Sequence, residues 1–197
     1  MTDDAGHVVV VAMAQDMNIQ RTIPCIAALL LLPMLAGCAS RPAPSAMASD
    51  DIRFVVVRHA EKQSGTGASE NDPGLTESGR CRAGRLAQSL DDARLVAVYS
   101  TPYRRTRDTG LQTAQAHGLD MIEYDPHQPA TDFADTLRAT HRSGTVLIVG
   151  HSNTVPALVS ALCECAVSEM GEDEYDHRFI IAIDAAGNAR MSDMPLP

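Results

Sequence analysis

Two apolar segments, residues 52–57 and 146–149, have the composition of buried β-strands, and a histidine comes shortly after each of them. The first segment leads into Arg58-His59-Ala60-Glu61, and the second leads into Gly150-His151-Ser152-Asn153. In an open α/β sheet, ligands bind beyond the carboxyl ends of the strands. If these two strands are neighbours, both imidazoles and the Arg58 guanidinium face one crevice. Such a crevice suits an anion, and phosphate is the first candidate.

Strand and helix patterns alternate along most of the chain after residue 51. The predicted strands cover residues 52–58, 95–99, 120–124, 145–149 and 178–184, and the predicted helices cover 76–90, 104–117, 129–142 and 153–163. This alternation predicts an α/β fold, a three-layer α/β/α sandwich with a mostly parallel central sheet. The last strand is expected to pair antiparallel at an edge of that sheet.

The composition restricts the class of protein and its partners. The chain has 197 residues, of which 45% are hydrophobic, and this fits one globular domain, expected over residues 52–197. The formal net charge of −9 argues against a nucleic-acid backbone as a partner.

The N-terminal segment is typical of an export signal. From Met17 onward, a basic residue, Arg21, precedes an apolar stretch over residues 23–35, and the small residues Ala36 and Gly37 follow it. The apolar stretch is shorter than the roughly 20 residues that a membrane-spanning helix needs. Residues 1–37 are therefore expected to be a signal peptide. Its true start is expected at Met17, because the segment before Met17 carries three acidic residues and no signal feature.

The end of this signal, Leu35-Ala36-Gly37-Cys38, resembles the lipobox of bacterial lipoproteins. The resemblance implies cleavage before Cys38 and a lipid anchor on its sulfur. Residues 38–51 are rich in small residues and contain two prolines, so they are expected to be a lipidated tether. Ala39 after the cysteine implies the outer membrane of a Gram-negative cell, with the protein on its periplasmic face. An ordinary signal peptide and an uncleaved anchor are the alternatives.

The chain has five cysteines, and three of them lie in the expected domain. Cys163 and Cys165 are separated by one residue, which we interpret as too tight for an easy disulfide, and the chain has no matching second pair for a zinc site. These two cysteines and Cys81 are therefore expected to be unpaired thiols.

Three segments, residues 58–62, 100–106 and 150–154, each begin where a predicted strand ends. A phosphoryl group in transfer carries negative charge on three equatorial oxygens, which arginines stabilise by forked hydrogen bonds. A neutral imidazole can attack phosphorus, a second can donate to a phosphoryl oxygen, and a carboxylic acid can protonate the leaving alkoxide. Singly, the segments could be a surface pair, a solvated helix face and a helix N-cap. Together they favour phosphoryl transfer.

The chain also resembles a known family. The motifs are Arg58-His59-Ala60, Leu75-Thr76-Glu77-Ser78-Gly79, Tyr99-Ser100-Thr101-Pro102-Tyr103-Arg104-Arg105-Thr106 and Val149-Gly150-His151. They resemble the histidine phosphatase superfamily, which has the phosphoglycerate mutase-like fold, over roughly residues 52–185. The resemblance implies a phosphohistidine mechanism without a metal or other cofactor, acting on a small phosphorylated substrate.

Carried over by motif, His59 is the nucleophile, Arg58 is a phosphate ligand and His151 is the second histidine. Arg105 is the second arginine, because Thr109 completes an Arg-x-x-x-Thr pattern with it. Ala60 departs from the glycine that usually follows the Arg-His pair. The residues after both histidines differ from those of the acid phosphatase branch, so the smaller, mutase-like branch fits better.

The general acid is the least defined part of the predicted site. Asp125, at the predicted end of the third strand, is the first candidate, and Glu61, beside the nucleophile, is the second. Asp72, Glu123, Asp132 and the absence of any dedicated acid are further alternatives.

The leading hypothesis for function is a lipid-anchored phosphomonoesterase that acts outside the cytoplasm. A non-catalytic sensor of a phosphorylated ligand and a phosphoglycerate mutase-type phosphotransferase are alternatives. A further alternative takes His59 and His151 as metal ligands, although arginines beside them would repel a cation.

Overall fold

The computed structural model describes residues 51–64 and 71–196. The expected signal peptide, Cys38 and nearly all of the tether lie outside these residues. In the part of the chain that is described, no helix is long and apolar enough to cross a membrane.

The described residues form six strands and four helices. In chain order they are β1 (Ile52–Arg58), α1 (Glu77–Gln88), β2 (Leu95–Ser100), α2 (Arg104–Ala116), β3 (Met121–Glu123), α3 (Ala130–Thr140), β4 (Gly144–Gly150), α4 (Val155–Cys163), β5 (His177–Ile183) and β6 (Ala189–Pro195). Each of the nine predicted elements is present, with ends within a few residues of the predicted ones.

The strands form one sheet in the order β3-β2-β4-β1-β5-β6. The pairings β2–β3, β2–β4 and β1–β4 are parallel, and the pairings β1–β5 and β5–β6 are antiparallel. Helices α1 and α2 pack against each other, as do α3 and α4. The predicted three-layer α/β/α fold with a mostly parallel sheet is confirmed.

Strand β1 lies at the centre of the sheet and is buried on both faces. Its alternate side chains enter two different cores, as the pleat of a strand requires. Phe54 and Val56 pack in the core that contains residues of α3 and α4, whereas Val55 and Val57 pack in the core that contains residues of α1 and α2. This two-sided burial explains the uninterrupted apolar run from Phe54 to Val57 within β1.

The prediction for the last strand was right about direction and wrong about position. β5 pairs antiparallel with β1, but β6 pairs along its other side and occupies the edge. Five of the seven residues of β6 are exposed and Ala189 and Met191 pack against the core, so the segment lacks the longer apolar alternation that identifies a strand. The turn before β6 contains residues that are typical of turns, Asp184, Gly187 and Asn188. In the structure, Gly187 adopts a positive φ and Asp184 accepts hydrogen bonds from the Asn188 side chain.

The prediction that Cys163 and Cys165 are unpaired was wrong, because the two residues form a disulfide. Helix α4 ends at Cys163, and the next residue, Glu164, adopts the left-handed conformation with φ 54°. This sharp reversal brings the two Cα atoms to 5.2 Å, within the usual range for a disulfide. Cys81 is an exposed free thiol.

Candidate active site

The parallel pairing of β1 with β4 brings the two strand-end histidines together. Arg58 is in register with Gly150, and the His59 amide donates a 2.9 Å hydrogen bond to the Gly150 carbonyl. The hydrogen-bonded ladder therefore extends one residue beyond the end of β1. The rings of His59 and His151 lie edge to face with their centroids 5.4 Å apart. Both side chains are buried.

The histidines open into a polar pocket of about 260 Å³ at the carboxyl edge of the sheet. Its lining comes from the ends of β1 and β4, the start of α2, the loop after β3 and the loop after α4. The lining residues are Arg58, His59, Lys62, Tyr103, Arg105, Pro126, His127, His151, Ser152, Asn153, Thr154 and Glu172. The pocket is rich in cationic and hydrogen-bonding groups, as an anion site requires.

A backbone contact fixes the tautomer of His59. Its Nδ1 lies 2.8 Å from the Ala60 carbonyl oxygen, and because a carbonyl only accepts, Nδ1 carries the hydrogen. The lone pair is then on Nε2. Burial lowers the pKa of His59 to about 3, against the Ala60 hydrogen bond, and the nearby His151, Arg105 and Arg58 lower it further. The ring is therefore neutral near pH 7, as a nucleophilic imidazole must be.

The threonine of the Arg-x-x-x-Thr pattern holds the turn that carries His59. The Ala60 amide donates to the Thr109 hydroxyl at 3.0 Å, and that hydroxyl donates to the Arg105 carbonyl at 2.7 Å. These bonds connect the residue after His59 to the backbone of Arg105.

A chain of two buried hydroxyls fixes the tautomer of His151. The Thr106 hydroxyl donates to the Tyr103 carbonyl at 2.7 Å, so it accepts from the Thr101 hydroxyl, which lies 2.7 Å away. With its own hydrogen used, Thr101 accepts from Nε2 of His151 at 3.0 Å. The lone pair of His151 is therefore on Nδ1, which lies 3.5 Å from an Arg105 guanidinium nitrogen.

Burial also lowers the pKa of His151, to about 4, and the charges of Arg105, Arg58 and His127 add to this effect. The ring is neutral in the free protein. An anion in the pocket would offset the arginine charges and favour protonation of Nδ1, which would then donate to the anion.

Both predicted arginines line the pocket. Arg58 is only 2% exposed, and its Nε is buried without a hydrogen-bond partner. Arg105 is half-buried, with its guanidinium 4.3 Å from the centre of the Tyr103 ring. Arg104 and Arg107 are exposed and do not belong to the lining. A buried N–H group without an acceptor is unfavourable, and an anion bound beside the guanidinium would be a suitable partner for it.

Neither predicted acid joins the histidines. Asp125 lies in the turn after β3, where its carboxylate accepts from the His127 amide at 2.9 Å, and it lines a neighbouring cleft of about 190 Å³. The Glu61 carboxylate accepts hydrogen bonds of 2.8 and 3.0 Å from Arg82, and this contact lowers its pKa. The further alternatives, Asp72, Glu123 and Asp132, are also absent from the pocket lining.

The carboxylate in the lining, Glu172, was missed by the sequence analysis. It belongs to the loop between α4 and β5, whose Gly171-Glu172-Asp173-Glu174 sequence has the composition of a turn and no periodic pattern. Its position depends on contacts with residues more than 100 positions away along the chain, such as Arg58. No local signal could have located it.

The described residues also bear on the metal alternative. Among them, no group of three or more histidines, cysteines, aspartates or glutamates is placed to hold a metal ion. His59 and His151 instead share their pocket with Arg58 and Arg105.

Comparisons with known proteins agree with this geometry. Residues 54–128 match the model of the histidine phosphatase superfamily, branch 1. A segment of 77 residues is 38% identical to phosphoserine phosphatase 1 of Hydrogenobacter thermophilus. The match covers 38% of this chain and 36% of that relative, so the chain spans only about a third of this curated protein.

Solved structures show the same fold. A protein histidine phosphatase, SixA, in complex with tungstate aligns with a TM-score of 0.60 and 19% identity, over 73% of this chain and 96% of that one. A mycobacterial glucosyl-3-phosphoglycerate phosphatase aligns with a TM-score of 0.58 and 15% identity, over 75% of this chain and 100% of that one.

The burial of both imidazoles predicts an unusual titration. In a ¹H–¹³C NMR titration of the free protein, His59 and His151 should remain neutral down to pH 5 and titrate only near pH 3 and 4, below the ordinary value of 6.5. Because unfolding restores the ordinary pKa, the unfolded chain binds more protons in this range, and the free energy of unfolding falls as the pH drops below 6.5. Titration of either ring near 6.5 would contradict the described burial.

Proposed function

The chain belongs to the histidine phosphatase superfamily, and on that premise we propose that it hydrolyses phosphate monoesters through a phosphohistidine intermediate on His59. One observation carries the proposal: a neutral His59 ring, with its lone pair on Nε2, lies against the His151 ring in a pocket that Arg58 and Arg105 also line. This combination supplies a nucleophile and the groups that stabilise its phosphoryl transition state.

Each group has a distinct role in the proposed reaction. Arg58 and Arg105 bind the phosphoryl oxygens and offset the charge that they carry in the transition state. Nε2 of His59 attacks phosphorus, the ester oxygen leaves, and an N–P bond remains. His151, protonated at Nδ1 once the phosphate is bound, donates to a phosphoryl oxygen. Water then cleaves the N–P bond, releases inorganic phosphate and restores His59.

The proposed substrate is a small phosphate monoester. The relatives are named for activity on phosphoserine, on protein histidine and on glucosyl-3-phosphoglycerate. These leaving groups include two alcohols and an imidazole, so the feature that the relatives' substrates share is the phosphoryl group.

Replacing His59 tests the proposed chemistry. The wild-type protein should hydrolyse p-nitrophenyl phosphate in the presence of EDTA, and His59→Ala should lower kcat by about a thousandfold or more, because the nucleophile is lost. Acid-labile, base-stable phosphate should be trapped on the wild-type protein and not on the variant.

A matched control is His141→Ala. His141 precedes β4 and therefore lies at the opposite edge of the sheet, where its ring contacts the Tyr99 hydroxyl. This variant should keep the wild-type kcat. Full activity in His59→Ala would contradict the proposal, and loss of wild-type activity in EDTA would favour the metal alternative. Tight phosphate binding without turnover would favour a sensor.

We also propose that the protein is anchored through lipid on Cys38 and acts outside the cytoplasm, on the periplasmic face of an outer membrane. The lipobox-like Leu35–Cys38 segment supports this proposal. The Cys163–Cys165 disulfide is compatible with it, since disulfides persist in oxidising compartments.

Mass spectrometry of the mature N-terminus tests the anchor. The expected result is a chain that begins at a diacylated Cys38 and partitions into detergent, because several acyl chains give firm membrane binding. A Cys38→Ser variant should lose both the acyl mass and the partitioning. A wild-type chain with an unmodified Cys38 would contradict the proposal.

A further inference from the structure

The loop between α4 and β5 is held directly on the buried Arg58. The carbonyl oxygens of Gly171 and Glu174 accept hydrogen bonds from Nη1 of Arg58 at 2.9 and 3.1 Å. The Tyr175 ring covers the guanidinium, with 4.1 Å between the Arg58 Cζ and the ring centre. These contacts hold the loop in place, and they bring the Glu172 carboxylate of the same loop within ion-pair distance of Arg58.

Glu172 is the residue that this loop presents to the pocket. Its Oε1 accepts a 2.8 Å hydrogen bond from the hydroxyl of Ser152, the residue after His151. Its Oε2 lies 3.4 Å from Nη2 of Arg58, the residue before His59. The carboxylate therefore lies between the ends of β1 and β4. Its side chain is 80% exposed, so it can exchange protons with water and contact an incoming leaving group.

The pocket offers no competing carboxylate among the residues that the structure describes. Asp125 and Glu61 are engaged elsewhere, as shown above, and Glu172 is the one acidic residue in the lining. A proton donor to the leaving oxygen must reach the pocket that holds the phosphoryl group, and the Glu172 carboxylate lines that pocket 3.4 Å from Arg58.

We propose that Glu172 is the general acid that protonates the leaving alkoxide. The proposal deepens the function proposed above and rests on it. In the first step the N–P bond forms at His59, the P–O ester bond breaks, and the proton of the Glu172 carboxyl moves to the ester oxygen, which leaves as an alcohol. In the second step water attacks the phosphohistidine, one of its protons returns to the Glu172 carboxylate, and phosphate departs.

The surroundings of Glu172 provide a route to the required protonation state. In the free protein, the Ser152 hydrogen bond and the charges of Arg58 and Lys62 hold the pKa of the Glu172 carboxyl below its usual range. A bound phosphate ester carries negative charge into the same pocket and offsets those cations. This favours the protonated carboxyl, so the acid is loaded as the substrate binds.

The test compares two leaving groups in single-turnover experiments on the full protein. The enzyme is in excess, because the first turnover then reports the step that releases the alcohol and not the later hydrolysis of the phosphohistidine. The substrates are p-nitrophenyl phosphate, whose leaving group departs readily as an anion, and propyl phosphate, whose alkoxide needs a proton. Glu172→Gln should slow propanol release by about a hundredfold or more, and p-nitrophenol release by less than about fivefold.

Asp173→Asn is the matched control. Asp173 is an exposed neighbour in the same loop and does not line the pocket, so this variant removes the same charge and should leave both rates within about twofold of wild type. Three results for Glu172→Gln would overturn the role of Glu172 as general acid. They are equal slowing of both substrates, no slowing of either substrate, and faster release of both alcohols. A wild-type protein that releases neither alcohol would overturn the proposed function itself, and this inference with it.

Discussion

The parallel pairing of β1 with β4 is the constraint on which the site depends. With Arg58 in register with Gly150, the two strands end side by side at the centre of the sheet, and the next residue of each is a histidine. A shift of one residue in this register would turn every side chain of β1 to the opposite face and exchange the residues that fill the two cores. The burial of β1 on both faces therefore also specifies where His59 and His151 meet.

That central position sets the chemistry of the charged and titratable groups. Burial makes both imidazoles weak bases, and the nearby arginines reinforce this effect. Arg58 is itself nearly inaccessible, and its closest acceptors are neutral carbonyls. The Glu172 carboxylate that pairs with Arg58 at 3.4 Å is largely exposed, so a ligand that brings further negative charge would stabilise the buried guanidinium. A phosphoryl group does so, which makes the arrangement suitable for an anionic substrate and unsuitable for a metal ion.

The parts of the fold that follow periodic patterns could be predicted from the sequence. The two-sided burial of β1 and β4 produces apolar runs, and Arg58, His59, Arg105 and His151 were found because each lies at a fixed offset from a strand end. The predicted acids were assigned by proximity in sequence alone, and local contacts turn both away: Asp125 caps its own turn and Glu61 pairs with Arg82.

The features that were missed share a different cause. The apolar alternation of the mostly exposed strand β6 is too short to identify a strand. The Cys163–Cys165 disulfide depends on the left-handed conformation of Glu164, a residue with no conformational signature in the sequence. Glu172 reaches the pocket only because its loop docks on Arg58, more than 100 residues earlier in the chain. Long-range docking of an irregular loop leaves no periodic trace in the sequence.

A crystal structure of the protein with vanadate tests whether His59 is the nucleophile, because vanadate adopts the five-coordinate geometry of a phosphoryl group in transfer. We expect vanadium bonded to Nε2 of His59, with its oxygens contacted by Arg58, Arg105 and Nδ1 of His151. Vanadate bonded to His151, or bound outside the pocket while His59 stays free, would show that His59 is not the nucleophile.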